Sequence, residues 1–218
     1  MSTPRRYDNT RRAEAARRTR GQILEAAREQ FLDTGYHSTT VAALARAAQV
    51  SPQTIYNAFG GKAEVLKALY DVLLAGDDEP IPMRERPEII RVTAQPDRSA
   101  TLRAYAAAAR TFIERTGPLI WMVLAEGAGQ DAELRAFLET IDRERRIGNT
   151  GVVEHIANRF GLGDGVTVER AVDLVWTLTS PENADRLVRR CGWTPADYER
   201  WLAEGLVTGL RILSRPAA

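Results

Sequence analysis

Apolar residues recur along this chain at intervals of three and four, with no sustained alternation of the kind a half-buried strand requires. The pattern predicts helices nearly throughout. A first helix is expected over about Thr19 to Thr34: Ile23, Ala27 and Phe31 fall on one face with Leu24 beside it, and Gly35 supplies the stop. A short second helix spans about Val41 to Ala48, capped by Thr39 or Thr40, with Val41, Leu44 and Ala45 inward. A third opens at Ser51-Pro52, where serine caps and proline is tolerated in the first turn, and ends near Phe59. Beyond Gly60-Gly61 a fourth carries Val65, Leu66, Leu69, Val72 and Leu73.

Residues 75 to 98 break the rhythm with Gly76, Pro80, Pro82, Pro87 and Pro96 among charges, and read as an irregular linker in which Ile89, Ile90 and Val92 allow one helical turn. Helical patterns resume at about Ser99–Arg115, Pro118–Glu126, Ala132–Phe160, Val168–Thr179, Glu182–Arg190 and Pro195–Leu213, with Gly148 and Gly151 as points where the long third segment can kink or split. The expected fold is all-α, without internal repeats. Its divisions are a basic flexible arm (1–18), a helix-turn-helix domain with a connector helix (19–74), the linker (75–98) and a helical-bundle domain (99–218).

Composition changes this picture little and charge changes it more. Hydrophobic residues at 44% and charged residues at 27% of 218 are an ordinary globular balance. No apolar run approaches the ~20 residues that cross a bilayer, and the Arg-rich start lacks the apolar stretch of a secretory signal, so the expected compartment is the cytoplasm. Cys191 alone excludes an internal disulfide framework. With only His37 and His155 beside it, there is no Cys/His set for zinc, and neither metal nor cofactor is expected. The net charge of +1 divides unevenly: residues 1–70 hold 11 Arg and Lys against 6 Asp and Glu, the remainder 19 against 23. A basic third on an acidic body suits a phosphate-binding module attached to something else.

The informative stretch runs from Thr39 to Phe59. Two short helices joined by about three residues, with Ala45 and Ala48 permitting a close crossing, suit a helix-turn-helix whose second helix enters the major groove. Ile55 and Phe59 face the core, leaving Ser51, Gln53, Thr54, Asn57 and Ala58 outward. Gln and Asn pair bidentately with adenine, Ser and Thr reach bases or phosphates, and Tyr56 and Lys62 suit phosphate oxygens. Arg5, Arg6, Arg11, Arg12, Arg17, Arg18 and Arg20 are either a solvated tail or an arm that follows the DNA backbone or enters the minor groove.

The ordered set Phe31-(x3)-Gly35-Tyr36, Thr39-Thr40-Val41, Leu44-Ala45, Val50-Ser51, Thr54-(x)-Tyr56, Phe59 and Lys62-(x3)-Leu66 resembles the N-terminal domain of the TetR family of transcriptional regulators. The resemblance covers about Ile23 to Leu69. It implies phosphate contacts from Thr40, Thr54, Tyr56 and Lys62, and contacts at or near base edges from Val41, Ser51, Pro52, Gln53 and Asn57. Two positions depart from the family: Gln49 stands where glycine is frequent in the turn, so its backbone must take a positive φ or the turn must differ. Gly60-Gly61 stand where a capping Ser or Asn is commoner.

Beyond residue 98, Trp176-Thr177-Leu178-Thr179-Ser180-Pro181-Glu182, Gly192-Trp193 and Tyr198-(x2)-Trp201-Leu202 resemble the C-terminal end of many TetR-like regulators. The resemblance implies a homodimer paired through the last two long helices, expected along Val168, Val172, Val175 and Trp176 on one and Trp201, Leu202, Leu206, Leu210 and Leu213 on the other. An intramolecular core is the competing reading of those stripes. Tyr105, Phe112, Trp121, Met122, Phe137, His155 and Trp176 are the aromatic and soft residues available to line an effector cavity, which points to a lipophilic or aromatic small molecule. The function so implied is a ligand-responsive repressor binding a near-palindromic operator, in which ligand shifts the connector helix and the separation of two recognition helices. The alternatives are a dimeric DNA-binding protein without effector and, more remotely, a helical enzyme. Against the enzyme stands the lack of a phosphate loop, a nucleophile elbow or a metal-ligand cluster.

Overall fold

The computed structural model of the chain describes residues 5–127 and 131–214, with side chains from residue 11. All regular elements among them are helical: α1 (Arg5–Thr34), α2 (Val41–Ala47), α3 (Pro52–Phe59), α4 (Lys62–Ala75), α5 (Pro87–Thr93), α6 (Arg98–Ala125), α7 (Ala132–Phe160), α8 (Val168–Leu178), α9 (Pro181–Ala184) and α10 (Pro195–Leu213). They pack as two units. The first takes the chain up to Asp78 together with Met122–Leu134; the second takes Glu79–Trp121 and the chain from Arg135 onward.

In the first unit α1 is 30 residues long and begins at Arg5, not near Thr19. Residues 11–18 are therefore helix, where a flexible arm was expected. Arg, Ala and Glu are good helix formers, and no Gly or Pro stands between Arg5 and Arg20 to stop the helix. Their side chains are exposed from 11 to 18; those of Arg5 and Arg6 lie outside the described residues. From Ile23 the helix turns Ile23, Ala27 and Phe31 into a core shared with Leu44, Ile55, Val65 and Leu66, all at most 1% exposed. Each of these side chains apart from Ala27 contributes about 1.5–3 kcal/mol through burial, and together they bind α2, α3 and α4 to α1.

In the second unit the Pro-rich segment is more ordered than its composition suggested. A 3-10 turn (Met83–Glu85) precedes the seven-residue α5. Arg86, 3% exposed, explains the order: its guanidinium donates to Glu79 O at 2.8 Å and Ile81 O at 3.2 Å, satisfying loop carbonyls that would otherwise need water. Val92 is fully buried and fastens α5 to the core. α6 runs unbroken through Gly117-Pro118, where two helices were expected. Proline removes one backbone donor there, but Thr116, Leu119, Ile120 and Val123 are all at most 2% exposed, so packing outweighs the lost bond. α7 likewise continues through Gly148 and Gly151. After α9 the chain widens into a π-helical stretch, Asp185–Arg190, closed by Cys191 N–H on Arg186 O at 3.0 Å.

α8 and α10 cross closely. A Cβ on Gly209 would stand 2.8 Å from Leu174 Cδ1, and one on Gly205 would stand 3.6 Å from Leu178 Cδ1. The side chains expected at a subunit interface are mostly elsewhere. Val172, Val175, Leu202, Leu206 and Leu210 are at most 3% exposed inside the core of their own chain, beside Leu102, Ala106, Val153 and Ile156. Their stripes are core stripes, because a two-helix layer must bury one face on its own bundle first. Trp201 and Leu213 are half-buried, and Val168 (36%) and Ile212 (59%) are the large apolar side chains left at the surface of these helices.

Candidate nucleic-acid interface

The geometry starts from two caps. Thr40, in extended conformation, caps α2: its Oγ1 accepts Ala43 N–H at 3.1 Å. Thr39 is instead buried and donates to Gly35 O at 2.7 Å, closing the turn out of α1. α2 is capped at its C-terminus by Ala48, and Gln49 takes φ +56°, the first of the two alternatives left open for this turn, at a cost of about 1 kcal/mol. That bend lets Val50 N–H reach Ala45 O at 2.9 Å and delivers Ser51 as the cap of α3, accepting Thr54 N–H at 3.1 Å.

α3 then divides cleanly. Ile55 is fully buried, and Phe59 is half-buried beneath the Arg20 guanidinium, 4.4 Å from its ring centre. Ser51, Pro52, Gln53, Asn57 and Ala58 are exposed, and Tyr56 is 49% exposed. Gln53 Nε2 donates to Asn57 Oδ1 at 2.8 Å, one turn along, so the two amides are held as a pair. Thr54, half-buried, bonds the Ser51 hydroxyl at 2.8 Å. Thr40 is exposed and Val41 half-buried at the start of α2. Of the nine positions expected to meet DNA, Thr40, Ser51, Pro52, Gln53, Tyr56 and Asn57 are exposed and Val41 is half-buried. Thr54 is partly occupied in the cap, and Lys62 is engaged elsewhere: its ammonium donates to Tyr36 O at 3.0 Å and lies 3.9 Å from the Tyr36 ring centre. No acidic residue occurs between Asp33 and Glu64, which suits a surface for phosphates.

A feature not expected from sequence lies behind this edge. The corner between α6 and α7 belongs to the same unit and grips the turn before α2. Glu126 accepts Tyr36 N–H at 2.7 Å and His37 N–H at 3.0 Å through its two oxygens. The Tyr36 hydroxyl donates to Glu133, and the His37 ring stands 3.4 Å from Asp131 Oδ2 and 3.6 Å from Glu126 Oε2. Burial first, then Glu133, raises the Tyr36 hydroxyl well above an ordinary phenol, so it remains a donor. Asp131 is held below the usual carboxylate range chiefly by Leu134 N–H, as the cap of α7. Gly35 makes the grip possible: it has φ +85°, and a Cβ there would run into Glu126 Oε1.

The residues expected to line an effector cavity scatter. Met122 falls in the first unit. Tyr105 is buried in the core of the second, with Phe112 and Trp121 packed on that core. Phe137 is buried apart from the cluster, and His155 stands edge-on to Phe160 at 6.3 Å. Trp176 gives its indole N–H to Asp142 at 3.0 Å and lies beneath Arg146. Asn149, Thr179 and Tyr198, all at most 8% exposed, form a polar interior that hydrophobic patterning does not reveal. Among the described residues no group of three or more His, Cys, Asp or Glu could hold a metal ion, and no helix is long and apolar enough to cross a membrane.

Comparison with known proteins agrees with this geometry. Residues 23–69 match the family model described as bacterial regulatory proteins, tetR family. The HTH-type transcriptional regulator TtgR of Pseudomonas putida is 44% identical over 63 residues, 29% of this chain and 30% of the relative. UidR of Escherichia coli K12, also an HTH-type regulator, is 39% identical over 54 residues, 25% of this chain and 28% of the relative. The chain thus matches less than a third of the length of these curated relatives. A solved TetR-family transcriptional regulator from Syntrophomonas wolfei superposes with a TM-score of 0.68 at 16% identity, covering 89% of this chain and 96% of that one. Residues 23–69 therefore match the tetR-family model, and the fold of most of the chain resembles that of the solved Syntrophomonas wolfei protein.

Proposed function

We propose that this protein is a transcriptional regulator that binds duplex DNA through α3, as a homodimer on a near-palindromic operator, and represses until a small molecule binds the second unit. The observation that carries the reading is the polar edge of α3: Ser51, Gln53, Tyr56 and Asn57 are exposed on a helix locked to the core by Ile55. Gln53 and Asn57 supply base-edge groups, while Thr40 and Tyr56 suit phosphates. One such unit reads few bases, and twofold pairing doubles both the area and the information. Pairing would use the outer faces of α8 and α10, with Val168, Trp201 and Ile212, since the inner stripes are committed to the chain's own core.

The regulatory route follows from the corner residues. α6 and α7 each have one end in the first unit and the rest in the second. A ligand that shifts either helix moves Glu126, Asp131 or Glu133 against Tyr36 and His37, and so re-aims the turn that sets α2 and α3. By linkage, a ligand that lowers operator affinity must bind the operator-bound protein less tightly by the same factor. Selection of duplexes from a random pool by the purified chain tests the DNA reading. A recovered inverted repeat supports it, and no enrichment at low salt would refute it.

A further inference from the structure

The polar groups inside the second unit form a connected set from which one hydroxyl is left out. Tyr105 donates its hydroxyl to Asn149 Oδ1, and Asn149 Nδ2 donates to Thr179 Oγ1 at 3.4 Å. Arg145 Nη2 donates to Trp176 O at 2.9 Å and reaches Thr179 Oγ1 at 3.5 Å, while its Nη1 pairs with Asp142 at 2.7 Å. Tyr198 belongs to the same core cluster as Tyr105, and its ring lies 6.0 Å from that of Trp201. Yet Tyr198 is 1% exposed and its hydroxyl has no hydrogen-bond partner. The indole N–H of Trp121, packed on the same core, is likewise buried without a partner. Among the described residues such orphaned side-chain atoms fall on Trp121, His155 and Tyr198, all in the second unit.

A phenylalanine at 198 would fill the same space without desolvating a hydroxyl. The core therefore holds a donor that no protein acceptor uses. Burial raises both Tyr105 and Tyr198 to about 12, so each keeps its proton at neutral pH. The donors left over set the chemistry of what they bind: a hydrogen-bond acceptor. The core cluster that holds Tyr198 is otherwise largely apolar, with Leu202 and Leu206 of the same helix among its members, and so suits an apolar body. The nearby formal charge, Arg145, is already matched by Asp142, so no net positive field invites an anion.

We infer that the second unit binds an uncharged, largely apolar molecule carrying an acceptor oxygen, a ketone, ester or phenol ether, gripped by the Tyr198 hydroxyl. This deepens the proposed regulatory reading and rests on it for the biological consequence, though not for the binding itself.

The test uses the full chain and three probes of one shape: 2-acetylnaphthalene, 2-isopropenylnaphthalene (C=CH2 in place of C=O) and 2-naphthoate. Calorimetric titration should show the ketone binding at least fivefold more tightly than the alkene, with the carboxylate weaker than the ketone. Tyr198→Phe should melt at the wild-type temperature or above, keep the alkene affinity and lose the ketone's advantage to within twofold. Equal binding of ketone and alkene, tightest binding by the carboxylate, or no binding by any probe would overturn the inference. So would a Tyr198→Phe protein that melts several degrees lower, because its hydroxyl would then have a partner in the free protein. Operator titration separates the two claims. A ketone bound through Tyr198 that leaves DNA affinity unchanged keeps the site and removes the effector role.

Discussion

Substituting Gly35 by alanine should damage the DNA-reading unit by a route that a second substitution reveals. The left-handed conformation at φ +85° costs alanine about 1–2 kcal/mol. The new methyl also displaces the Glu126 carboxylate, whose side chain is 20% exposed and accepts the Tyr36 and His37 N–H groups at 2.7 and 3.0 Å. Hydrogen bonds to charged acceptors contribute about 1.5–3 kcal/mol each; with discount for partial exposure, the pair contributes about 3 kcal/mol. Glu126→Ala alone should therefore cost about 3 kcal/mol and Gly35→Ala about 4–5, by these same contributions. The double variant should cost no more than Gly35→Ala, since the bonds can be lost only once. The two substitutions would then fall short of additivity by about 3 kcal/mol, well beyond the ~0.5 kcal/mol expected of independent sites. Because two units need not unfold together, the readout should be hydrogen exchange at the Leu44 and Ile55 amides, which reports on the first unit locally. An additive double variant would refute the grip of Glu126 on this turn.

Other outcomes follow from the same geometry. Asn57→Ala should leave thermal stability unchanged, since the side chain is exposed, and weaken operator binding by about 1–3 kcal/mol with relaxed preference at one position per half-site, read by titration against single-base variants. Ser51→Ala should instead cost about 1 kcal/mol of stability through the lost cap and weaken binding to all sequences alike. Deleting residues 2–16 should flatten the log–log salt dependence of DNA binding by about 0.9 per phosphate contact removed; an unchanged slope would leave the helical extension of α1 without a part in binding. Asp185 is 3% exposed between Arg189 and Arg190; the Arg189 bond lowers its carboxyl, burial opposes, and Arg190 lowers it further. A lowered folded value stabilises above the ordinary 3.8 and is lost as pH falls through the folded value. Asp185→Asn should thus be less stable than the parent at neutral pH, and the difference should close in acid below 3.8; a constant difference would contradict the ion pairs.

The helix-turn-helix was legible because each of its devices is local. Thr40 and Ser51 cap from one residue away, Gln49 must take up the turn, and Ile55 against Gln53 and Asn57 is a plain helical division of faces. The corner at Glu126 was not legible, because a carboxylate that satisfies backbone donors some 90 positions earlier leaves no periodic trace. α6 reads as two helices because proline is weighed locally, whereas the burial of its own Leu119, Ile120 and Val123 depends on packing from outside the helix. The stripes of α8 and α10 were real but ambiguous: periodicity finds an apolar face without telling whether the same chain or another covers it. Tyr198 and Asn149 escaped for the opposite reason, being polar residues buried where only three-dimensional placement explains them.

The central claim is that α3 offers its Gln53–Asn57 edge to duplex DNA twice per assembly. Selection from a random duplex pool should be run side by side with the parent chain and with Gln53→Ala, followed by sequencing. The account predicts an inverted repeat for the parent, and for Gln53→Ala the same repeat with base preference lost at the corresponding position of both halves. An unaltered motif from Gln53→Ala, or no symmetric motif from the parent, would contradict it.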